Sequence, residues 1–473
     1  MAKSVVVPRA AAPSFSRGFD QIRAENGVPT AFSGEVLAAA EDAARQPVSA
    51  DRVDRTDLPF VTLDPATSTD LDQAFTIEAA HTSAGGGSGD IVLRYAIADV
   101  PWFIPPGGAL VTEAWARGVT TYLPDGRASL YPPVLSEAAV SLLPDGPRAA
   151  VVFVVRVGTD GEAVLDGVER ALIRSRAKLA YETATPADLP PLFDEFAARI
   201  TAAEDRRGAS RVDAPEQEVE SDANSGYRLV FRPRVHNEDS NAAMSLATNL
   251  AVADLLFAHH TGLFRVMAEP DERSVRRLRF TAKALQLTWP DAMDLGAFQR
   301  GLDPNDPKHA AFLTAVRRAG GGADYAPYTP GVVPWHAAMA ATYCHATAPL
   351  RRLADRYVVA AALEVANGRP VPEHVQAAFA DLPTVMDQAE SRSSRVERAV
   401  IDLVEAFVLH GCEGRTYDAV VTDVDDRGAR IQLADPAVVA RVSAHRVEPG
   451  DALTVRLVAA DVDKRTVTFE RVS

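Results

Sequence analysis

From Leu58 the chain carries short runs of apolar and β-branched residues: PFVTLD, AFTIEA, IVLRYAIADV and AAVVFVVRV (Ala149–Val157). Runs of this kind read as strands with at least one buried face. A Gly/Ser segment, AGGGSG at Ala84–Gly89, leads into the third run, and the Asp160-Gly161 turn joins the fourth to AVLDGVERALI as a hairpin. This much strand implies a central sheet. Beyond Ser175 the period becomes helical, over Lys178–Ala184, Leu192–Arg206, Asn241–His259, Val275–Leu287, Pro307–Ala319, Leu350–Asn367 and Gln388–His410. Strands followed by a run of helices predict an α+β fold, and the absence of a fixed-period repeat argues against a solenoid.

Two smaller regions flank this block. Residues 1–55 are Ala-rich with helical patterns at Phe15–Asn26 and Glu35–Arg45, broken by Gly27, Pro29 and Gly34, which suits either a helical collar on the main domain or a helix-turn-helix. After Gly411 come TYDAVVTDV, the turn Asp426-Arg427-Gly428, ARIQL, VVARVS, the turn Pro449-Gly450-Asp451, ALTVRLVAADV and RTVTFERV. Five alternating strands in about 60 residues predict a small closed barrel of the OB type, with an SH3-like barrel as the alternative. The expected units are therefore 1–55, 56–410 and 411–473, a reasonable division of 473 residues.

Composition is that of an ordinary globular protein, 47% hydrophobic and 24% charged. No uninterrupted apolar stretch looks long enough to cross a bilayer, so no membrane role is expected. The N-terminus MAKSVVVPRAAAPSFSRGF lacks the apolar core of a secretory signal, and only Cys344 and Cys412 could pair, so a reduced, cytoplasmic, monomeric protein is expected. A net charge of −15 argues at first sight against a nucleic-acid partner. That total is a sum over a large surface, however, and an enclosed channel can be basic beneath an acidic exterior. The predicted barrel itself carries 9 Lys/Arg against 11 Asp/Glu.

The segment DPATSTDLDQAF places Asp64, Asp70 and Asp72 within nine residues. A solvated loop of turn-forming acids is one reading. Apolar strands on both sides would instead hold the cluster at the edge of a core. Asp70 and Asp72, at i and i+2, point to one side of an extended chain and can share a cation. Hard ions such as Mg²⁺ and Mn²⁺ take carboxylate oxygens and leave positions open for phosphate. Two such ions about 3.5–4 Å apart can activate water and stabilise a leaving oxygen in phosphodiester cleavage. The same D-x-D pairing serves sugar-nucleotide transferases and phosphatases.

A second constellation is HATAPLRRLADRYVVAAALEVANG, His345–Gly368. Pro349 suits a first helical turn capped by Thr347 or Ala348, which puts Arg351 and Arg352 at the positive end of the dipole, where an anion should compensate. Phosphate is one candidate. Asp355 is the other, paired with Arg351 or with Arg352, leaving Arg356 in solvent. Tyr122, in RGVTTYLPDG, precedes a turn and suits base stacking or a core position. Basic runs at Arg170–Lys178 and Asp271–Lys283 suit solvated helix faces or the walls of a channel.

In this order, Asp64, Asp70, Asp72, Tyr122 and Arg351 resemble the ribonuclease II (RNB) family of 3′→5′ exoribonucleases. The likeness runs from about Leu58 to Leu409, through LPFVTLDPATSTDLDQAF, YAIADVPWFI, TTYLPDG, LSEAAVSLLPDG, SRAKLAYE and TAPLRRLAD. It implies a Mg²⁺-dependent hydrolase, with Mn²⁺ as a substitute, that threads single-stranded RNA into a channel and releases 5′-mononucleotides processively. It implies Asp64, Asp70 and Asp72 as metal ligands, Asp72 the most sensitive. Tyr122 would pack on the terminal nucleotide, Arg351 would stabilise the transition state, and Arg117, Arg352 and Asn249 would contact RNA, with a structural helix role as the alternative for Asn249. Three departures stand out. Gln73 replaces a fourth Asp and could ligate only through its amide oxygen, Leu353 replaces an aromatic, and Tyr227 is only a distant candidate for the aromatic that sandwiches bases. About 55 residues precede the catalytic block, too few for the family's N-terminal cold-shock barrels. A catalytically weakened RNA-binding protein of the same fold is the alternative.

Overall fold

The computed structural model describes residues 12–48, 51–80, 89–210, 216–222, 226–232, 234–303, 306–425, 428–433, 435–444 and 446–472. Most of the expected Gly/Ser loop and the Asp426-Arg427 turn fall outside these residues. Helices α1 (Ala12–Glu25) and α2 (Gly34–Ala44) lead into β1 (Val53–Asp64), β2 (Gln73–Ala79) and β3 (Ile91–Ala98). A short α3 (Val100–Phe103), α4 (Gly108–Arg117) and the small hairpin β4 (Thr121–Leu123) and β5 (Gly126–Ala128) precede β6 (Arg148–Val157) and β7 (Ala163–Ala180). The central sheet expected from the strand runs closes on itself as a barrel, β1-β2-β3-β6-β7, the last strand pairing in parallel with the first. Residues Lys178–Ala180, read above as the start of a helix, are instead the end of β7 in register with Thr62–Asp64 of β1. Parallel pairing at barrel closure overrides a weak local helical preference.

The second half wraps this barrel. It comprises α5 (Phe193–Arg207), the hairpin β8 (Glu216–Asp222) and β9 (Gly226–Arg232), α6 (His236–Ala258), β10 (Leu263–Val266), α7 (Glu272–Ala284), α8 (Leu295–Arg300), α9 (Pro307–Ala319), the short β11 (Asp324–Pro327), β12 (Trp335–His336) and β13 (Ala341–Thr342), then α10 (Leu353–Ala366) and α11 (Glu373–Leu409). By length and composition α6 is apolar enough to cross a membrane. Its Met244, Ala247, Val252 and Leu256 are buried in the main core with the barrel. Helix α11 begins 15 residues before the expected Gln388 and runs for 37 residues with Pro383 inside it.

The five strands expected after Gly411 form a second closed barrel, β14 (Thr416–Asp425), β15 (Gly428–Leu433), β16 (Val439–Ser443), β17 (Ala452–Asp461) and β18 (Thr466–Arg471), in the order β14-β15-β16-β18-β17. Its core is continuous with Phe15, Phe19 and Ile22 of α1 and with Val396, Val400, Leu403 and Val404 of α11. Helix α2 buries Val36, Ala40 and Ala43 in the main core instead. The two N-terminal helices thus pack in different cores, α1 with α11 and the second barrel and α2 with the main barrel. Tyr227, the distant aromatic candidate, packs against Phe15 and Phe19 at 5.2 and 5.3 Å within this junction.

Gly118 ties these layers to the region of Arg351. It ends α4 at φ +71° with its N–H on Ala114, and its carbonyl accepts from Leu353 N at 2.9 Å. A Cβ there would lie 2.5 Å from the Ala389 Cβ of α11. We expect Gly118→Ala to cost on the order of 2–4 kcal/mol from left-handed strain plus overpacking, seen as a lowered thermal midpoint. At the junction of α11 with the second barrel, burial pushes the Glu405 carboxyl up to about 7, against the Val439 N–H and Gln217 amide that both donate to its Oε1 at 2.8 Å. The folded state then binds a proton more tightly than the unfolded one, so this residue's contribution to stability falls as pH rises from about 4.5 through 7. Glu405→Gln keeps the acceptor oxygen and should raise the thermal midpoint above pH 7 while leaving it unchanged near pH 4.

Candidate active site

Asp64 ends β1, and Asp70 and Asp72 lie on the connection from β1 to β2, a loop pinned at several points. Leu71 is fully buried; its N–H donates to Ser141 Oγ at 2.9 Å, and its carbonyl accepts from Leu142 N at 3.0 Å. Ser141 Oγ in turn donates to the Thr69 carbonyl at 2.7 Å, and the Asp72 carbonyl receives Ala98 N at 2.9 Å. A loop so anchored holds carboxylates where water would otherwise compete for them. Burial pushes the Asp72 carboxyl up to about 8 and Asp64 up to about 6, in both cases against the pull of Arg351.

The arginine segment meets this loop directly. Asp72 Oδ1 accepts from Leu350 N at 2.7 Å, and Oδ2 lies 3.3 Å from Arg351 Nε. Leu350 and Arg351 precede the helix: α10 begins only at Leu353, and residues 348–352 form a turn closed by Arg352 N on the Ala348 carbonyl at 2.9 Å. The expected caps, Thr347 and Ala348, do not cap α10. Asp355 reaches back instead, accepting from Ala348 N at 2.8 Å while taking Arg352 bidentately at 3.0 and 2.8 Å. Arg352 therefore makes the pair with Asp355, and Arg351 is left half-exposed facing Asp72. Arg356 is buried and donates to the Ile104 carbonyl, contrary to the expected solvation.

The remaining sequence candidates divide. Tyr122 is 51% exposed on the β4–β5 hairpin, and its hydroxyl donates to Asp70 Oδ2 at 3.2 Å. Asn249 is buried, accepting Ala346 N at 2.9 Å and donating to Tyr343 OH at 3.2 Å, while also bordering the cavity described below. Arg117, expected to contact RNA, is 2% exposed, bonded to Glu113 and to the Ser129 and Ala31 carbonyls, and stacked 3.8 Å from the Phe32 ring centroid. It is a structural arginine. Gln73, expected as a ligand, donates from Nε2 to the Thr347 carbonyl at 2.7 Å and accepts Tyr95 OH on Oε1 at 2.5 Å. A carbonyl can only accept, which fixes the amide this way round. Of the basic runs, Arg170 pairs with fully buried Asp99 at 3.2 Å, and Arg279 caps loop carbonyls while lying 4.2 Å over Trp289. The sequence reading missed Arg127, whose Nη1 lies 2.5 Å from Asp70 Oδ1, and Tyr95, which links Gln73 to Ser245. A lone Arg in a turn and a Tyr in a strand carry no signal of their own.

A cavity of about 1100 Å³ opens onto this meeting point, lined there by Asp64, Gln73, Asn249, Arg351 and Arg352 and farther out by Trp289. The three loop carboxylates offer only oxygen, and Asp64 Oδ2 is buried with no hydrogen-bond partner, a combination that fits a hard divalent ion. Among the described residues no three such side chains converge as a ligand set, and both oxygens of Asp70 face the hairpin residues Arg127 and Tyr122.

Residues 52–365 match the model of the RNB domain, and residues 415–472 match the RNase II-type exonuclease C-terminal S1 domain. The chain is 26% identical over 445 residues to ribonuclease R of Thermotoga maritima, covering 87% of this chain and 61% of that relative's length. Ribonuclease R of Mycoplasma genitalium, solved with ribose methylated single-stranded RNA, superposes with a TM-score of 0.85 at 19% identity over 97% of this chain and 78% of its own. A yeast protein described as a pseudonuclease shares the fold at a TM-score of 0.72 and 16% identity, over 93% of this chain and 57% of its own. With an RNB domain matched over 314 residues and the S1 domain in place behind it, the chain belongs to the RNB family of ribonucleases.

Proposed function

We propose that this chain is a 3′→5′ exoribonuclease that hydrolyses single-stranded RNA processively to 5′-mononucleotides, acting as a cytoplasmic monomer with Mg²⁺, for which Mn²⁺ can substitute. The observation that carries this reading is the junction of the buried acidic loop with the Leu350–Arg351 turn at the end of a cavity of about 1100 Å³. Asp64, Asp70 and Asp72 would hold the cation. When bound, it would supply a polarised water and neutralise charge developing on the phosphate. Arg351, half-exposed beside Asp72, orients the scissile phosphate and stabilises its non-bridging oxygens with a planar donor fork. The Arg352–Asp355 pair acts through geometry, fixing the turn that presents Arg351. Tyr122 offers an exposed ring on which the terminal base stacks.

A second reading is an RNA-binding protein with a weakened centre. It is favoured by the Gln73 amide, engaged at both ends, and by the ion pair that holds Asp70.

Incubating 5′-labelled single-stranded RNA with the protein and Mg²⁺ should give mononucleotides and a short labelled end product, both abolished by EDTA. Salt-sensitive RNA binding without turnover in either Mg²⁺ or Mn²⁺ would favour the second reading. We expect Asp72→Asn to lower the single-turnover rate at least 10³-fold with RNA affinity within a few-fold of wild type; undiminished cleavage would refute the assignment. Arg351→Lys keeps one charge but loses the fork, and should cost about 10²-fold in rate.

A further inference from the structure

The cross-strand register of the β4–β5 hairpin places Tyr122 opposite Arg127, one on each side of a tight turn closed by Leu123 and Gly126. Directly paired residues share a face of the ribbon, so both side chains reach the same target. That target is Asp70: Arg127 Nη1 lies 2.5 Å from Oδ1, and Tyr122 OH donates to Oδ2 at 3.2 Å. Arg127 also has a second acceptor. Its Nη2 sits 2.9 Å from Glu137 Oε1, and Glu137 Oε2 accepts from Thr69 Oγ1 at 3.0 Å. The arginine is thus shared between Asp70 on the acidic loop and Glu137 on the π turn Leu135–Ala139. Its side chain and that of Asp70 are 20% and 9% exposed, so their attraction is only partly screened. Nearby, the buried Asp64 Oδ2 has no hydrogen-bond partner.

We infer that Arg127 is a positioning residue that competes with the divalent cation for Asp70, and that Glu137 is the carboxylate that takes the guanidinium when the cation displaces it. This rests on the proposed reading of Asp64, Asp70 and Asp72 as the cation's holders. A carboxylate turned onto a guanidinium cannot at the same time offer those lone pairs to a metal, so the two cations bind Asp70 with negative coupling. Glu137 lowers the cost of the exchange, because the released guanidinium moves to an acceptor it already touches instead of to a buried site with no partner. The hairpin brings both donors together, so a displacement of Tyr122 toward a stacked base withdraws them from Asp70 as a unit.

The test is Mn²⁺ binding to chelator-stripped protein, read by the electron-paramagnetic-resonance signal of free Mn²⁺ and requiring no turnover. Arg127→Gln should bind Mn²⁺ roughly tenfold more tightly than the unsubstituted chain, and Arg127→Lys should not. Glu137→Gln removes the second acceptor and should bind several-fold more weakly, which keeps the inference testable should the Arg127 variants fail to fold. An Arg127→Gln protein with unchanged or weaker Mn²⁺ affinity, or a Glu137→Gln protein with unchanged or tighter affinity, overturns the inference. Absence of Mn²⁺ binding in every folded variant, the unsubstituted chain included, overturns the cation reading itself.

Discussion

The site depends on one buried carboxylate. Asp72 is 3% exposed, and its two oxygens are divided between a backbone N–H and a guanidinium that stand 278 and 279 residues later in the chain. A buried acid with neither partner would simply be protonated or would unfold its loop. With both, it becomes a rivet between the acidic loop and the arginine turn. Everything else at the centre is arranged to bring these two loops within hydrogen-bond distance: Ser141 fixes the acidic loop, Asp355 fixes the turn, and Gln73 ties one to the other through the Thr347 carbonyl.

Electrostatics at this centre are local. The overall charge of −15 is a sum over the whole chain, whereas at the site Asp70, Asp72 and Asp355 each face a specific guanidinium. Arg352 with Asp355 and Arg127 with Asp70 are close to neutral pairs, while Arg351 is a half-exposed guanidinium lining the cavity beside a carboxylate that burial drives toward neutrality.

Much of the architecture was legible because its elements are long and strongly patterned. Runs such as IVLRYAIADV and AAVVFVVRV became β3 and β6, and the alternation after Gly411 became a five-stranded barrel. Barrel closure was not legible, since the parallel pairing of β1 with β7 joins segments over 100 residues apart and leaves no local mark; the same pairing drew Lys178–Ala180 into a strand. Around the site, spacing alone brought out Asp64, Asp70, Asp72 and the arginine pair. It did not tell which arginine pairs with Asp355, because i,i+3 and i,i+4 partners are equivalent until the helix start is known, and α10 starts two residues after Arg351. Arg117 was misread because a buried arginine over Phe32 looks the same in sequence as an exposed one.

The shared core of α1, α11 and the second barrel bears on how the chain is made. Phe19 of α1 packs in one cluster with Leu403 of α11, and a Cβ on neighbouring Gly18 would lie 2.7 Å from that leucine. At a synthesis rate of about 5–20 residues per second, the 384 residues between Phe19 and Leu403 take roughly 20–80 s to emerge. Throughout that interval α1 lacks its α11 partners, although Tyr227, which packs on Phe15 and Phe19, and the RNB barrel emerge earlier. Helix α1 is thus made long before α11 and completes its packing only once α11 has emerged, so its Phe15–Phe19 face stays partly uncovered for most of that time.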